Sequence, residues 1–239
     1  MITQPPRLAA TIGLHGSAST AVFNIVRELM EAALGASNVL AVYSETAAPL
    51  LNGAAASRHV VLKSHHPGED VDALLWLAKA KVILSIRDPR DAALSMAARF
   101  NAPVAQALEW ISEDCRHLLR HAEAGHMLLR YEDRFFEDRA LPARLAGYLG
   151  LEVDTATCAA IAGRYSTEAV RAFAASLAAL PAGRVIDNGL NLVDTVTQIH
   201  STHVRDARSG KWRDSYELVL WHSLTRPLEP FLTRFGYPV

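Results

Sequence analysis

The feature that most constrains this chain is a short run of small residues between a strand pattern and a helix pattern. Leu8 to Leu14 has the Ile, Leu and Thr content of a buried strand. Thr20 to Leu34 sets Val22, Val26, Leu29 and Ala33 at helical spacing. Between these patterns runs Gly13-Leu14-His15-Gly16-Ser17-Ala18-Ser19-Thr20. A strand, a small-residue turn and a helix point several backbone N–H groups and a helix N-terminus at one place, which suits an anion. Small side chains let a phosphate or sulfate approach the backbone, and the Ser19 and Thr20 hydroxyls add donors. The same pattern also suits an ordinary strand-to-helix turn with a serine N-cap. The stretch by itself leaves both open.

The rest of the chain repeats the alternation. Apolar, β-branched runs at 38–43, 58–64, 81–87 and 127–131 read as strands. Helical spacing covers 69–80, 89–100, 103–124, 135–149, 154–163 and 166–180, with Asp88 and Ser166 as N-caps and Pro89 at a first helical position. Residues 44–57 and 181–213 carry little periodicity. Helices are expected at 215–224, where Asp214 and Glu217 have capping-box spacing, and again from Pro227. Strands alternating with helices predict an α/β fold: three layers, with a central parallel sheet flanked by helices. Ligands of such sheets bind at the carboxyl ends of the strands. No repeat or linker divides the 239 residues, so one domain over 1–239 is expected.

Composition excludes several classes. A net charge of −1 gives no global basic field for nucleic acid. The two cysteines, Cys115 and Cys158, make no C-x-x-C pair and fit a reducing compartment. No signal-peptide pattern and no apolar run of bilayer length occurs, so a cytoplasmic protein without a membrane span is expected.

Four constellations stand at or beyond strand ends. The opening turn lacks Gly-Lys-Ser/Thr, so it is not a Walker loop, and it lacks G-x-G-x-x-G. Lys63-Ser64-His65-His66-Pro67 sets an imidazole beside a cation: a candidate base, or a solvated surface turn. Arg87-Asp88-Pro89-Arg90-Asp91 followed by Ser95 offers a guanidinium fork and a hydroxyl for a phosphate. Its bland alternative has Asp91 pairing with Arg87 or Arg90 and Ser95 filling a packed face. Arg205 to Arg213 gathers four cations, Gly210 and Trp212, either as a flap over an anion or as a solvated charged face.

Taken in order, and with Tyr131-Glu132-Asp133, these segments resemble the PAPS-dependent sulfotransferase family, whose members transfer a sulfuryl group from 3′-phosphoadenosine 5′-phosphosulfate. Ser17-Ala18-Ser19-Thr20 fall on S-G-T-T of the 5′-phosphosulfate loop P-K-S-G-T-T-W. Lys63-Ser64-His65 matches K-T-H, whose histidine is the base, and Arg87 to Ser95 matches R-x-x-x-D-x-x-x-S, whose ends bind the 3′-phosphate. Tyr131-Glu132-Asp133 matches the Y-E-D near adenine, and Arg205 to Trp212 resembles R-K-G-x-x-G-D-W.

The resemblance implies a P-loop-like fold and PAPS as cosubstrate with PAP as product. It implies no metal and a small-molecule acceptor bearing a hydroxyl or amine. It makes His65 the base and Lys63 its cationic partner. PAPS would be held by His15, Gly16, Ser17, Ala18, Ser19, Thr20, Arg87, Ser95, Tyr131, Arg205, Arg208, Ser209 and Gly210. The acceptor would lie against segments 43–57, 100–110 and 166–200. No metal-ligand spacing is evident, since the adjacent His65 and His66 face apart on a strand.

The chain also departs from the pattern. Gly16 stands where the family has lysine, Ala21 where it has an aromatic residue, and Asp206-Ala207 where it has Lys-Gly. Lys63 or His15 would have to supply the missing cation. Otherwise the chain would bind PAP or PAPS with weak or lost catalysis; a P-loop phosphotransferase is a further alternative. The family's dimer motif K-x-x-x-T-V-x-x-x-E is not visible, which leaves the oligomeric state open.

Overall fold

A computed structural model describes residues 5–54, 58–122, 125–204, 206–215 and 225–239. Its centre is a five-stranded sheet of β1 (Leu8–Gly13), β2 (Val39–Tyr43), β3 (His59–Ser64), β4 (Lys81–Ile86) and β5 (Met127–Arg130), ordered β2-β3-β1-β4-β5. Every pairing in it is parallel. The strand ends are level: Tyr43 pairs with Lys63, Ile12 with Ser64, Gly13 with Ser85 and Ile86 with Arg130. All five therefore deliver their last residues to one edge. β1 lies between β3 and β4, where the chain's progression across the sheet reverses, and a crevice opens there.

Period-two alternation splits the core into two layers. Leu8, Ala10 and Ile12, with Val60, Leu62, Val82, Leu84 and Ile86, face one side. There they meet α4 (Pro89–Phe100), α5 (Val104–His121) and α10 (Glu229–Phe235), packed through Ala93, Ile111, Leu118 and Phe231. Ala9, Val61, Ile83 and Leu129 face the other side, against α1 (Ser19–Leu34) and α6 (Leu141–Leu149). The same layer holds α7 (Thr155–Arg164) and α8 (Thr167–Ser176). The expected three-layer α/β architecture is the observed one.

The remaining helices are α2 (Ala48–Ala54), α3 (Glu69–Leu77) and α9 (Trp212–Ser215). Asp88 caps α4 by accepting from the Arg90 N–H at 3.0 Å, with Pro89 behind it, and Ser166 caps α8. The stretch 44–57 contains the short α2, too brief to show a period. Residues 181–213 also contain more than expected: strands β6 (Val185–Asp187) and β7 (Leu192–Asp194) form an antiparallel hairpin. Each has only three residues, too few for alternation to register. Buried Asp194 accepts from the Thr197 amide and hydroxyl, and Asn24 of α1 donates to the Thr197 carbonyl at 2.7 Å. These bonds lay residues 197–204 across the crevice. The helix expected at 215–224, and Glu217 with it, lies outside the described residues, and Asp214 falls inside α9 rather than at a cap. Among the described residues no helix is long and apolar enough to cross a membrane.

Candidate active site

A cavity of about 370 Å³ opens at the carboxyl edge of the sheet. The sequence-predicted residues His15, Gly16, Ala18, Ser19, Thr20, Lys63, His65, Arg87, Ser95 and Tyr131 all line it.

The opening turn is built for close approach. A Cβ on Gly13 would collide with the Ser85 hydroxyl and the Ser19 side chain, so the strand passes there only as glycine. Gly16 has φ +76°, in the region that favours glycine. Ser17 turns inward: its hydroxyl donates to the Leu14 carbonyl at 2.6 Å and lies 3.0 Å from the Ser85 hydroxyl. Its amide also donates to Leu14, so Ser17 braces the turn instead of lining the cavity. No serine caps α1. The N-cap is Ala18, left-handed at φ 62° and without a side-chain cap. The Ser19 and Thr20 amides precede the start of the i→i−4 ladder and stay available at the cavity wall. The serine N-cap of the alternative sequence reading is therefore not what the turn contains.

Arg87 leaves β4 and ties three segments together. Its guanidinium donates to the Gly16 carbonyl at 2.9 Å, the Ser95 hydroxyl at 3.3 Å and the Arg208 carbonyl at 2.7 Å. It also lies 4.1 Å from the Tyr131 ring centroid. Its Nε is buried without a partner among the described residues. Asp91 does not pair with Arg87 or Arg90. It accepts from the Gly210 amide and, at 3.0 Å, from the Trp212 amide, clamping the segment after 206 onto α4. Arg90 instead forks onto Asp88 and stacks 3.7 Å over the Trp212 ring, which accounts for a tryptophan in a charged stretch. Arg208 offers its carbonyl to Arg87 while its side chain reaches solvent, 3.6 Å from Asp214. Arg208, Ser209 and Gly210 thus stand behind Arg87 and off the cavity wall. Arg205 lies outside the described residues.

His65 is buried, and its Nδ1–H donates to the Gly13 carbonyl. A carbonyl only accepts, so the proton sits on Nδ1 and Nε2 carries the lone pair. Burial first, then His15 and Lys63, hold the imidazole well below its usual pKa, hence neutral. The His15 ring stacks on it at 3.6 Å. Lys63 is buried as well, and burial reinforced by Arg99 pushes its ammonium down to about 8.

Three groups that motif spacing does not announce hold this arrangement. Glu45 accepts from the Ser64 hydroxyl and from the amides of His65 and His66. Asp114, fully buried on α5, accepts from the His15 amide at 2.6 Å, from His15 Nδ1 at 2.8 Å and from His66 Nε2. Burial alone would raise this carboxyl; the two histidines override that and hold it well below the usual range. Arg99, one turn beyond Ser95, also lines the cavity. The sequence showed no metal-ligand spacing, yet His15, His66 and Asp114 bring ligand atoms within 4.8 Å of one another. The residues are too far apart in the chain for spacing to reveal this. In the structure both imidazoles spend a proton on the carboxylate. Of the segments expected against an acceptor, 43–57 contributes Tyr43 and 166–200 contributes Thr167, Val170, Asn188, Val193, Gln198 and His200, whereas 100–110 contributes nothing; Tyr165, Thr202, His203 and Val204 also line the wall, outside the expected segments.

A family model described as Sulfotransferase domain matches residues 17–217. Among solved structures, mouse sulfotransferase SULT7A1 complexed with PAP has a TM-score of 0.61 at 14% identity, covering 98% of this chain and 89% of that one. Retinol dehydratase in a complex with retinol and PAP gives 0.59 at 14%, over 97% of this chain and 82% of that one. The same enzyme with androsterone and inactive cofactor PAP gives 0.57 at 14%, with the same coverage. At that identity the likeness is one of fold. No curated protein sequence matches the chain.

Proposed function

The chain belongs to the family of sulfotransferase domains, and from that premise we propose how it moves the sulfuryl group of PAPS to a hydroxyl or amine of a small-molecule acceptor. The observation that carries the mechanism is His65. Its Nδ1 is committed to the Gly13 carbonyl, which leaves a neutral Nε2 lone pair at the wall of the cavity that the anion-cradling turn also lines.

The residues fit the cosubstrate. The amides at Ala18–Thr20 and the N-terminus of α1 suit the 5′-phosphosulfate. Arg87, with its buried free Nε, and Ser95 suit the 3′-phosphate, and Tyr131 suits the adenine. The structural neighbours are described with PAP, and two of them with retinol or androsterone, which fits a small organic acceptor. PAPS supplies an activated sulfuryl group, whose S–O bond to the 5′-phosphate breaks as the acceptor bonds to sulfur, so that PAP leaves with the bond's electron pair. His65 Nε2 takes the proton the acceptor loses. Residues 16–21 hold no cation, and positive charge comes from Lys63, while Asp114 holds the His15 ring against that of His65. Buried, unpaired Cys115 and Cys158 suit a reducing compartment such as the cytoplasm.

PAP should bind in the micromolar range by calorimetry. His65→Ala should lower sulfuryl transfer at least about 10³-fold, with PAP affinity kept within about twofold. Absence of PAP binding at millimolar concentration would overturn the reading; full activity of the variant would move the base to His66 or His15. A binding protein without catalysis, suggested by Gly16, would hold PAP tightly and yield no labelled product from any acceptor.

A further inference from the structure

The cavity wall around His65 carries a cation that the cosubstrate site does not use, Arg99. Lys63 lies 5.2 Å from the Tyr43 ring, which is 6.0 Å from that of His65. Arg99, His200 and His203 complete this part of the wall, the two imidazoles 4.5 Å apart. Arg99 is close enough to lower the pKa values of Lys63, His200 and His203. Burial, then Arg99 and Lys63, push His200 down to about 3.

The carboxylates nearby are already occupied. Glu45 is spent on Ser64 and the amides of His65 and His66, and Asp114 on His15 and His66. Asp206, also on the wall, pairs with Lys211 at 3.1 Å. Among the described residues Arg99 makes no ion pair, and its Nε is buried without a partner; so is Nδ1 of His203. A buried guanidinium donor left open is unfavourable unless a ligand completes it. Arg87 has already met its neighbours in the turn, at Ser95 and in the segment after 206, whereas Arg99 sits a full turn further along α4, near Lys63.

We propose that Arg99, with His203 beside it, receives an oxyanion carried by the acceptor, so that the substrates are hydroxyl or amine compounds bearing a carboxylate, sulfate or phosphate. A planar guanidinium matches such a group with two parallel hydrogen bonds. The acceptor is then held at its charged end by Arg99 while its nucleophilic atom meets His65 Nε2. This inference rests on the sulfuryl-transfer reading above.

The test uses PAP-saturated full-length protein and three acceptor scaffolds, a phenol, a cyclohexanol and an aliphatic amine, each as its carboxylate and as its uncharged amide. Calorimetry should show at least one carboxylate binding ten or more times more tightly than its amide. Arg99→Met should reduce that ratio to about one, Arg99→Lys should keep part of it, and PAP affinity should stay within about twofold in both. Equal binding of carboxylate and amide, no binding by any carboxylate at 10 mM (roughly the upper end of weak millimolar affinity), or a preference that survives Arg99→Met would each overturn the proposal. Failure of PAP itself to bind would instead overturn the sulfuryl-transfer reading and this inference with it.

Discussion

The two ends of the cavity are built on opposite plans. At the end formed by the opening turn and Arg87, the polar groups are held before any ligand arrives. Arg87 has the Gly16 and Arg208 carbonyls, Ser95 and the Tyr131 ring, and Asp91 pins the segment behind it. At the end around His65, Lys63 is buried facing an aromatic ring, and Arg99, unlike Arg87, makes no hydrogen bond or ion pair among the described residues. His203 is pushed well below its usual pKa by burial, then by His200, Lys63 and Arg99. A pre-organised site loses little freedom on binding and suits one invariant ligand. A site of side chains without partners is completed only by the ligand, and there the identity of the acceptor is decided.

The largest expected effect tests the pre-organised end. Arg87→Ala removes the guanidinium that joins three segments, and PAP affinity should fall at least about 100-fold, as expected for a charge-assisted contact whose loss also frees its supports. Arg99→Met, of similar chemistry, should leave PAP affinity nearly unchanged. A drop below about fivefold for Arg87→Ala, measured by calorimetry, would erase the distinction between the two ends.

The next effect belongs to the other end and is read from pH. Lys63 is shifted from 10.5 to about 8, chiefly by burial and then by Arg99, with Glu45 opposing. If its charge steadies the departing group, kcat/KM should fall as pH rises through about 8, tending toward tenfold per pH unit. His65 is held neutral well below pH 6.5 and contributes no limb near neutrality. Lys63→Arg should move the alkaline limb out of range. The linkage to stability runs the other way. The folded pKa lies below the unfolded one, so the charged ammonium costs stability below pH 8, and that cost is relieved as pH rises toward 10.5. Lys63→Met should therefore raise the melting temperature at pH 7 while abolishing activity. A flat activity profile to pH 10 would remove Lys63 from the chemistry.

How much of this was legible in the chain follows the same division. The sheet showed itself because β1, β3 and β4 are buried on both faces and read as continuous apolar runs. Residues at strand ends, His15, Lys63, His65 and Arg87, could be placed because a parallel sheet brings those ends to one edge. What stayed hidden depends on tertiary contact. Asp114 meets His15 across 99 positions, and Asp91 meets Trp212 across 121, so no local spacing records either. Glu45 follows a strand, but nothing near it says that its carboxylate will hold the Ser64–His66 backbone. Ser17 sits in the motif like its neighbours, and the Leu14 carbonyl together with the approach of Ser85 turns its hydroxyl inward. Arg99 falls at a helical position that sequence alone leaves as one more surface cation.

The smallest effect sharpens what pre-organisation costs in the turn itself. Gly16 and Ala18 both have positive φ, +76° and 62°. A side chain at position 16 would find room, its Cβ lying 3.7 Å from Arg87 Nη1 and from the Ser95 Cβ, so the demand there is one of backbone conformation. Ala18 meets the same demand without glycine, at about 1–2 kcal/mol for an L-residue in the left-handed region. Replacing it by glycine removes that strain but gives up about 0.5–1 kcal/mol through the freer unfolded chain. Ala18→Gly should thus gain about 0.5–1 kcal/mol, or about 1–4 °C in melting temperature for a domain of this size. PAP affinity should hold or rise slightly, since the backbone at 18 keeps its shape and loses a methyl facing the cavity. A fall in both melting temperature and PAP affinity would mean that the methyl itself, packed beside the Phe23 and Val26 layer, holds the cradle in place.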